Sequence, residues 1–153
     1  MIIDAHIHAF TDNLAERALE KLSKISVSEK SKLISWVLTD TMPTGSLKVS
    51  EIVEMGRFPY TNWFGKLSEK DKNIIDNAIN AVHLSHKKDY RYNSLSDGEK
   101  QRTMIAKALA QDTPIIFLDE PTSHLDLPNT IEIMQLLQSL ARKTKKAILE
   151  ERQ

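Results

Sequence analysis

Residues 95–127 read LSDGEKQRTMIAKALAQDTPIIFLDEPTSHLDL. It opens on a Ser-x-Gly turn at Ser96, Asp97 and Gly98, where Ser96 or Asp97 can cap the free amides of a helix. The helix runs on through Arg102 to Ala110. A helix start with exposed amides and partial positive charge attracts anions, phosphate above all. Ile115-Ile116-Phe117-Leu118 is too short and too evenly apolar for a helix, so it reads as a buried parallel strand. That strand ends in Asp119 and Glu120, and the turn after it carries Asp126. Parallel sheets take ligands beyond the carboxyl ends of their strands. One carboxylate there can hold a hard cation such as Mg²⁺, and its neighbour can polarise a water for attack on phosphorus. A polar turn after a strand supplies such a pair by itself. The helix start about 20 residues upstream, at the spacing of one αβ unit, gives the pair its meaning.

These motifs resemble those of the ATP-binding-cassette (ABC) ATPases. LSDGEKQR is similar to the family's signature motif, with Asp97 where a glycine is commoner; IIFLDEP resembles its Walker B strand and SHLD its D-loop. The resemblance implies cofactors ATP and Mg²⁺. It implies that Ser96 and Gly98, with Asp97 and Glu99 in the same turn, meet the γ-phosphate of an ATP held by a second subunit. It further implies that Asp119 supports Mg²⁺, that Glu120 is the catalytic base, and that Asp126 communicates across the dimer.

The bounds are those of an ordinary globular protein. The 153 residues suffice for one domain with a modest core. Lys+Arg and Asp+Glu number 21 each, so no net charge draws the chain to nucleic acid or to a membrane surface. Cysteine is absent, which excludes disulfides, thiolate metal sites and cysteine nucleophiles. No apolar run approaches the ~20 residues that span a bilayer. The N-terminal residues, with Asp4, His6 and His8, are no signal peptide. The expected location is cytoplasmic.

The middle of the chain predicts a helical turn starting at Ser28-Glu29-Lys30, a strand over 33–38, a turn over 41–45 and a helix over 49–57. An aromatic loop over 58–65 follows. A long helix is then capped by Ser68, with Ile74, Ile75, Ala78, Ile79 and Val82 inward. TGSLKVSEIVEMGRFPYTNWFGKLSEKDK, residues 44–72, is similar to the helical subdomain of ABC importers for iron chelates, haem and cobalamin. In that family the subdomain docks on a membrane permease. The expected partners are therefore a permease and a second ATPase subunit, holding the chain at the inner face of the membrane. Phe58, Tyr60, Trp63 and Phe64 divide between filling the subdomain and meeting a partner.

The front of the chain reads differently. Ile2 to His8 alternates like a strand with Asp4, His6 and His8 on one face, and Thr11 or Asp12 then caps a helix. IIDAHIHAF, residues 2–10, resembles the first strand of the amidohydrolase superfamily, metal-dependent TIM-barrel hydrolases, in which paired histidines grip a divalent metal. A TIM barrel takes ~250 residues. No G-x-x-x-x-G-K-S/T phosphate loop occurs among the glycines Gly45, Gly56, Gly65 and Gly98: Gly65-Lys66 is followed by Leu67 and preceded at the required position by Tyr60. Thr39-Asp40 stands where the family carries a glutamine, and Ala147-Ile148-Leu149 leads into Glu150-Glu151 rather than a switch histidine.

The expected fold is thus α/β, a partial P-loop NTPase core of the ABC ATPase type with an α-helical subdomain and without its Walker A part. The expected division is a leader over 1–24 and a partial ABC ATPase domain over 25–153. Within the latter, 46–94 is the helical subdomain and 95–149 the signature helix, Walker B strand and D-loop. A fusion or truncation product would read this way, with unpaired strand edges and exposed apolar faces. The expected function is a fragment of the ATP-hydrolysing subunit of such an importer, inactive alone. Two alternatives are a non-catalytic module that docks on a permease or complements a Walker A half in trans, and a fragment of a metal hydrolase.

Overall fold

The computed structural model describes residues 2–4, 24–38, 46–61, 65–123, 125–144 and 146–151. His6, His8, the helix expected from Thr11, Thr39-Asp40, the turn over 41–45, Trp63, Phe64 and His124 lie outside the described residues. The first element is β1 (Ile2–Asp4). Helix α1 (Val27–Leu33) is opened by Ser26, whose hydroxyl accepts from the Glu29 amide while the Glu29 carboxylate accepts from the Ser26 amide. It runs directly into β2 (Ile34–Val37).

The helix expected over 49–57 is α2 (Val49–Glu54), and beyond it the chain tightens into a 3₁₀ segment, Met55–Tyr60. The reason lies at Gly56 and Pro59. A Cβ at Gly56 would stand 2.3 Å from the Lys107 carbonyl oxygen, so the backbone here presses directly on the next layer. Pro59 has no amide to continue a regular helix. Helix α3 (Glu69–Ala81) starts with the expected reciprocal cap, Ser68 with Asp71, and buries Ile75, Ala78 and Ile79. Short 3₁₀ turns at Ser85–Lys87 and Tyr92–Ser94 lead to α4 (Asp97–Ala110). Then come β3 (Ile115–Asp119), α5 (Leu127–Thr144) and β4 (Ala147–Glu151).

Arg57 locks the helical subdomain to the core. It is almost wholly buried, donates from Nε to Asp71 on α3 at 2.9 Å and from Nη1 to the Ala110 carbonyl at the end of α4 at 2.8 Å. Its guanidinium lies 4.0 Å from the centroid of the Tyr60 ring. Gly56-Arg57 therefore serves close packing and a three-way tie, while Phe58, 61% exposed, projects from this segment.

The four described strands are parallel, in the order β1-β4-β3-β2. The steps from β2 to β3 and from β3 to β4 go the same way across the sheet. Right-handed crossovers then lay α4 and α5 on one face, and they do pack together there, α4 over β2 and α5 over β1 and β4. Ser35, Val37, Ile116, Leu118 and Ile148 are buried beneath them. On the other face Trp36 is 54% exposed and stacks on Phe117, ring centroids 4.7 Å apart. The expected open apolar face is present. Among the described strands β3 lies between β2 and β4, and the unpaired edges fall at β1 and β2. The backbone of Ile2–Asp4 pairs with Ile148–Glu150 and extends the sheet on that side.

Candidate nucleotide-contacting site

Two ends of secondary structure carry the expected site residues. At the first, Ser96 is the N-cap of α4. Its hydroxyl accepts from the Glu99 amide at 3.4 Å, and the Glu99 carboxylate accepts from the Ser96 amide at 3.0 Å. The cap is thus Ser96 and not Asp97, which begins the helix proper and pairs with Lys100 Nζ at 2.9 Å. The other oxygen of Glu99 takes Lys87 Nζ at 2.6 Å, and this ammonium holds the Glu99 carboxyl below its usual range, aided by the hydrogen bonds with Ser96.

At the second, β3 delivers Asp119 to the carboxyl end of the sheet. Glu120 follows with φ +44°, a left-handed backbone that a residue with a Cβ adopts only at a cost. The turn that holds it there is fixed by Ser123, whose amide and hydroxyl both donate to the Glu120 carbonyl, at 3.0 and 2.9 Å.

Asp126 lies in the turn between β3 and α5. It caps α5 by accepting from the Asn129 amide at 2.9 Å, and accepts a second bond from Asn129 Nδ2 at 2.7 Å. The Asn129 side chain lies over Gly98: a Cβ on Gly98 would stand 2.6 Å from Asn129 Oδ1. The signature turn and the D-loop aspartate are thus linked through one asparagine. Sequence reading missed Asn129, Lys87 and the Arg57–Asp71 pair, since each acts across helices where periodicity gives no signal. The one available hint was Asn129 at the third position after Asp126, the spacing of a side-chain cap.

A parallel sheet with carboxylates beyond a central strand, and a capped helix start beside the following turn, form the α/β arrangement that takes ligands at its strand ends. The ABC transporter family profile matches residues 7–123. The chain belongs to the ABC transporter family, and its fold is the ABC ATPase core with the helical subdomain. It is 38% identical over 130 residues to an ABC transporter ATP-binding protein of Methanocaldococcus jannaschii, covering 85% of this chain and 45% of that protein. It is 37% identical over 142 residues to the iron(3+)-hydroxamate import ATP-binding protein FhuC of Bacillus subtilis, covering 93% and 52%. Among solved structures, a metal-chelate type ABC transporter in an inward-facing conformation superposes with TM-score 0.74 at 32% identity, over 78% of this chain and 48% of that one. A bacterial ABC transporter cassette solved as a dimer superposes with TM-score 0.64 at 28% identity, over 86% and 55%. The chain spans about half the length of the relatives it matches.

Proposed function

We propose that this chain acts in the ATP-driven import of iron chelates, as the part of a cassette that meets nucleotide through its signature turn. The observation that carries the reading is the contact chain from Gly98 through Asn129 to Asp126, which sets the signature turn against the D-loop aspartate. Ser96, exposed at the helix start, and the helix-start amide of Gly98 meet the γ-phosphate of an ATP held by a second cassette, while Asn129 covers the Cα side of the buried Gly98. Asp119, an oxygen donor at a strand end, suits Mg²⁺, which takes one or two carboxylates and completes its shell with phosphate and water. When bound, Mg²⁺ supplies charge neutralisation at the transferred phosphoryl group. Glu120 orients the attacking water and accepts its proton. Asp126 relays the state of one half of the dimer to the other.

The relatives named for iron(3+)-hydroxamate and siderophore transport support iron chelates as the cargo class, with haem and cobalamin as neighbouring possibilities. Phe58 and Tyr60, exposed on the helical subdomain, are proposed to meet a permease on the cytoplasmic side. Among the described residues no helix is long and apolar enough to cross a membrane. A second reading is a module that complements a phosphate loop in trans without turning over ATP by itself. The metal-hydrolase reading rests on His6 and His8, outside the described residues. Among the described residues no group of three or more histidines and carboxylates is arranged to hold a metal.

The test is association with the Bacillus subtilis hydroxamate-import cassette, measured by sedimentation with and without Mg-ATP. Association that requires Mg-ATP, and that Ser96→Glu abolishes by placing a carboxylate at the phosphate contact, is the expected result. Association equal with and without nucleotide refutes nucleotide contact by the turn. ATP turnover in the mixture that Glu120→Ala lowers favours the catalytic reading over the non-catalytic one.

A further inference from the structure

We infer that Lys87 is a positioning residue for the signature turn, holding Glu99 in its capping geometry and cancelling its charge so that the turn accepts a polyphosphate. The inference rests on the reading above, that Ser96 and Gly98 meet phosphate. The turn presents an unusual balance for such a task. Asp97 and Glu99 bring two carboxylates to it, and an uncompensated carboxylate repels a γ-phosphate.

The two charges are compensated in different ways. Asp97 pairs with Lys100 one turn along the same helix, and its side chain is 72% exposed, so solvent screens it in any case. Glu99 is different. Its carboxylate and the Lys87 ammonium are both mostly shielded, the pair closes at 2.6 Å, and it bridges twelve residues from the 3₁₀ turn Ser85–Lys87 to α4. The remaining Glu99 oxygen is the one that accepts the Ser96 amide. Lys87 therefore stands one carboxylate away from the cap, its ammonium within roughly 8 Å of the Ser96 amide, where screening is incomplete. The Lys87 ammonium also lies 5.6 Å from the centroid of the Tyr90 ring, a second contact that helps hold it.

A purely structural role, pinning the Ser85–Lys87 turn to α4, is the competing account, and the two separate experimentally. The readout is the ratio of association with the Bacillus subtilis cassette in Mg-ATP to that without nucleotide. Lys87→Met should lower this ratio roughly fivefold, the order expected for one partly screened charge at this distance. Lys87→Arg keeps the charge and should retain the ratio. The double variant Lys87→Met/Glu99→Gln removes both charges while the glutamine oxygen can still accept the Ser96 amide, and it should recover most of the loss. If Lys87→Met lowers thermal stability but leaves the ratio unchanged, Lys87 is structural and the inference is overturned. If the wild-type chain itself shows no nucleotide dependence, the underlying reading fails and the inference falls with it.

Discussion

Replacing Asp71 with alanine tests the packing logic of the helical subdomain. Asp71 and Arg57 are both buried, and the pair closes at 2.9 Å. Removing the carboxylate leaves the Arg57 guanidinium with the Ala110 carbonyl and the Tyr60 face but no counter-charge. It also removes the acceptor for the Ser68 amide and hydroxyl that starts α3. Breaking a buried pair from one side costs about 3–5 kcal/mol, and losing a cap adds about 1 kcal/mol. For a domain of this size each kcal/mol lowers Tm by roughly 2–4 °C, so Asp71→Ala should lower Tm by roughly 8–24 °C. Thermal melts followed by circular dichroism measure it. The companion variant Arg57→Met/Asp71→Leu removes both charges and should be less destabilised than Asp71→Ala alone, since no orphan charge remains. A loss below about 1 kcal/mol for Asp71→Ala, or a double variant worse than the sum of its singles, refutes the claim that this pair ties the subdomain to α4.

Three further predictions follow the site. Gly98→Ala forces the Asn129 side chain to swing away and give up its bond to Asp126, costing about 1 kcal/mol by denaturant titration; adding Asn129→Ala should make the second change nearly free. Glu120→Gly relieves a left-handed backbone and should raise stability by about 1 kcal/mol while removing the proposed base, an opposition that melts and turnover assays would reveal together. On acidification, hydrogen bonds from Ser68, with Arg57 beside them, hold Asp71 low, and Lys87 with Ser96 holds Glu99 low. Both folded pKa values are depressed, so their stabilisation is present above the unfolded carboxylate value and is lost as pH falls from about 4 through the depressed values. Tm against pH should drop on that limb, and Glu99→Gln should flatten it.

The sequence exposed whatever is local. The caps at Ser68 and Ser96 needed only the residue three positions on. The strand ending in Asp119 was short, apolar and bounded by Pro114 and Pro121. Other features depend on distant partners. The helix over 49–57 breaks early because Gly56 meets the Lys107 carbonyl, a contact that no window around Gly56 contains. Lys87 looked like one more surface lysine until the fold brought Glu99 to it. The paired edge supplied by β1 was equally hidden, since Ile2–Asp4 finds β4 almost the whole chain away.

The most direct test of the account is photolabelling with an ATP derivative carrying an aryl azide on the γ-phosphate, followed by mass-spectrometric mapping of this chain. The account predicts label on the peptide containing Ser96 to Arg102, and only when the second, ATP-loaded cassette is present. Label that avoids this peptide, or that reaches it equally without the second cassette, contradicts the claim that the signature turn meets a nucleotide held by another subunit.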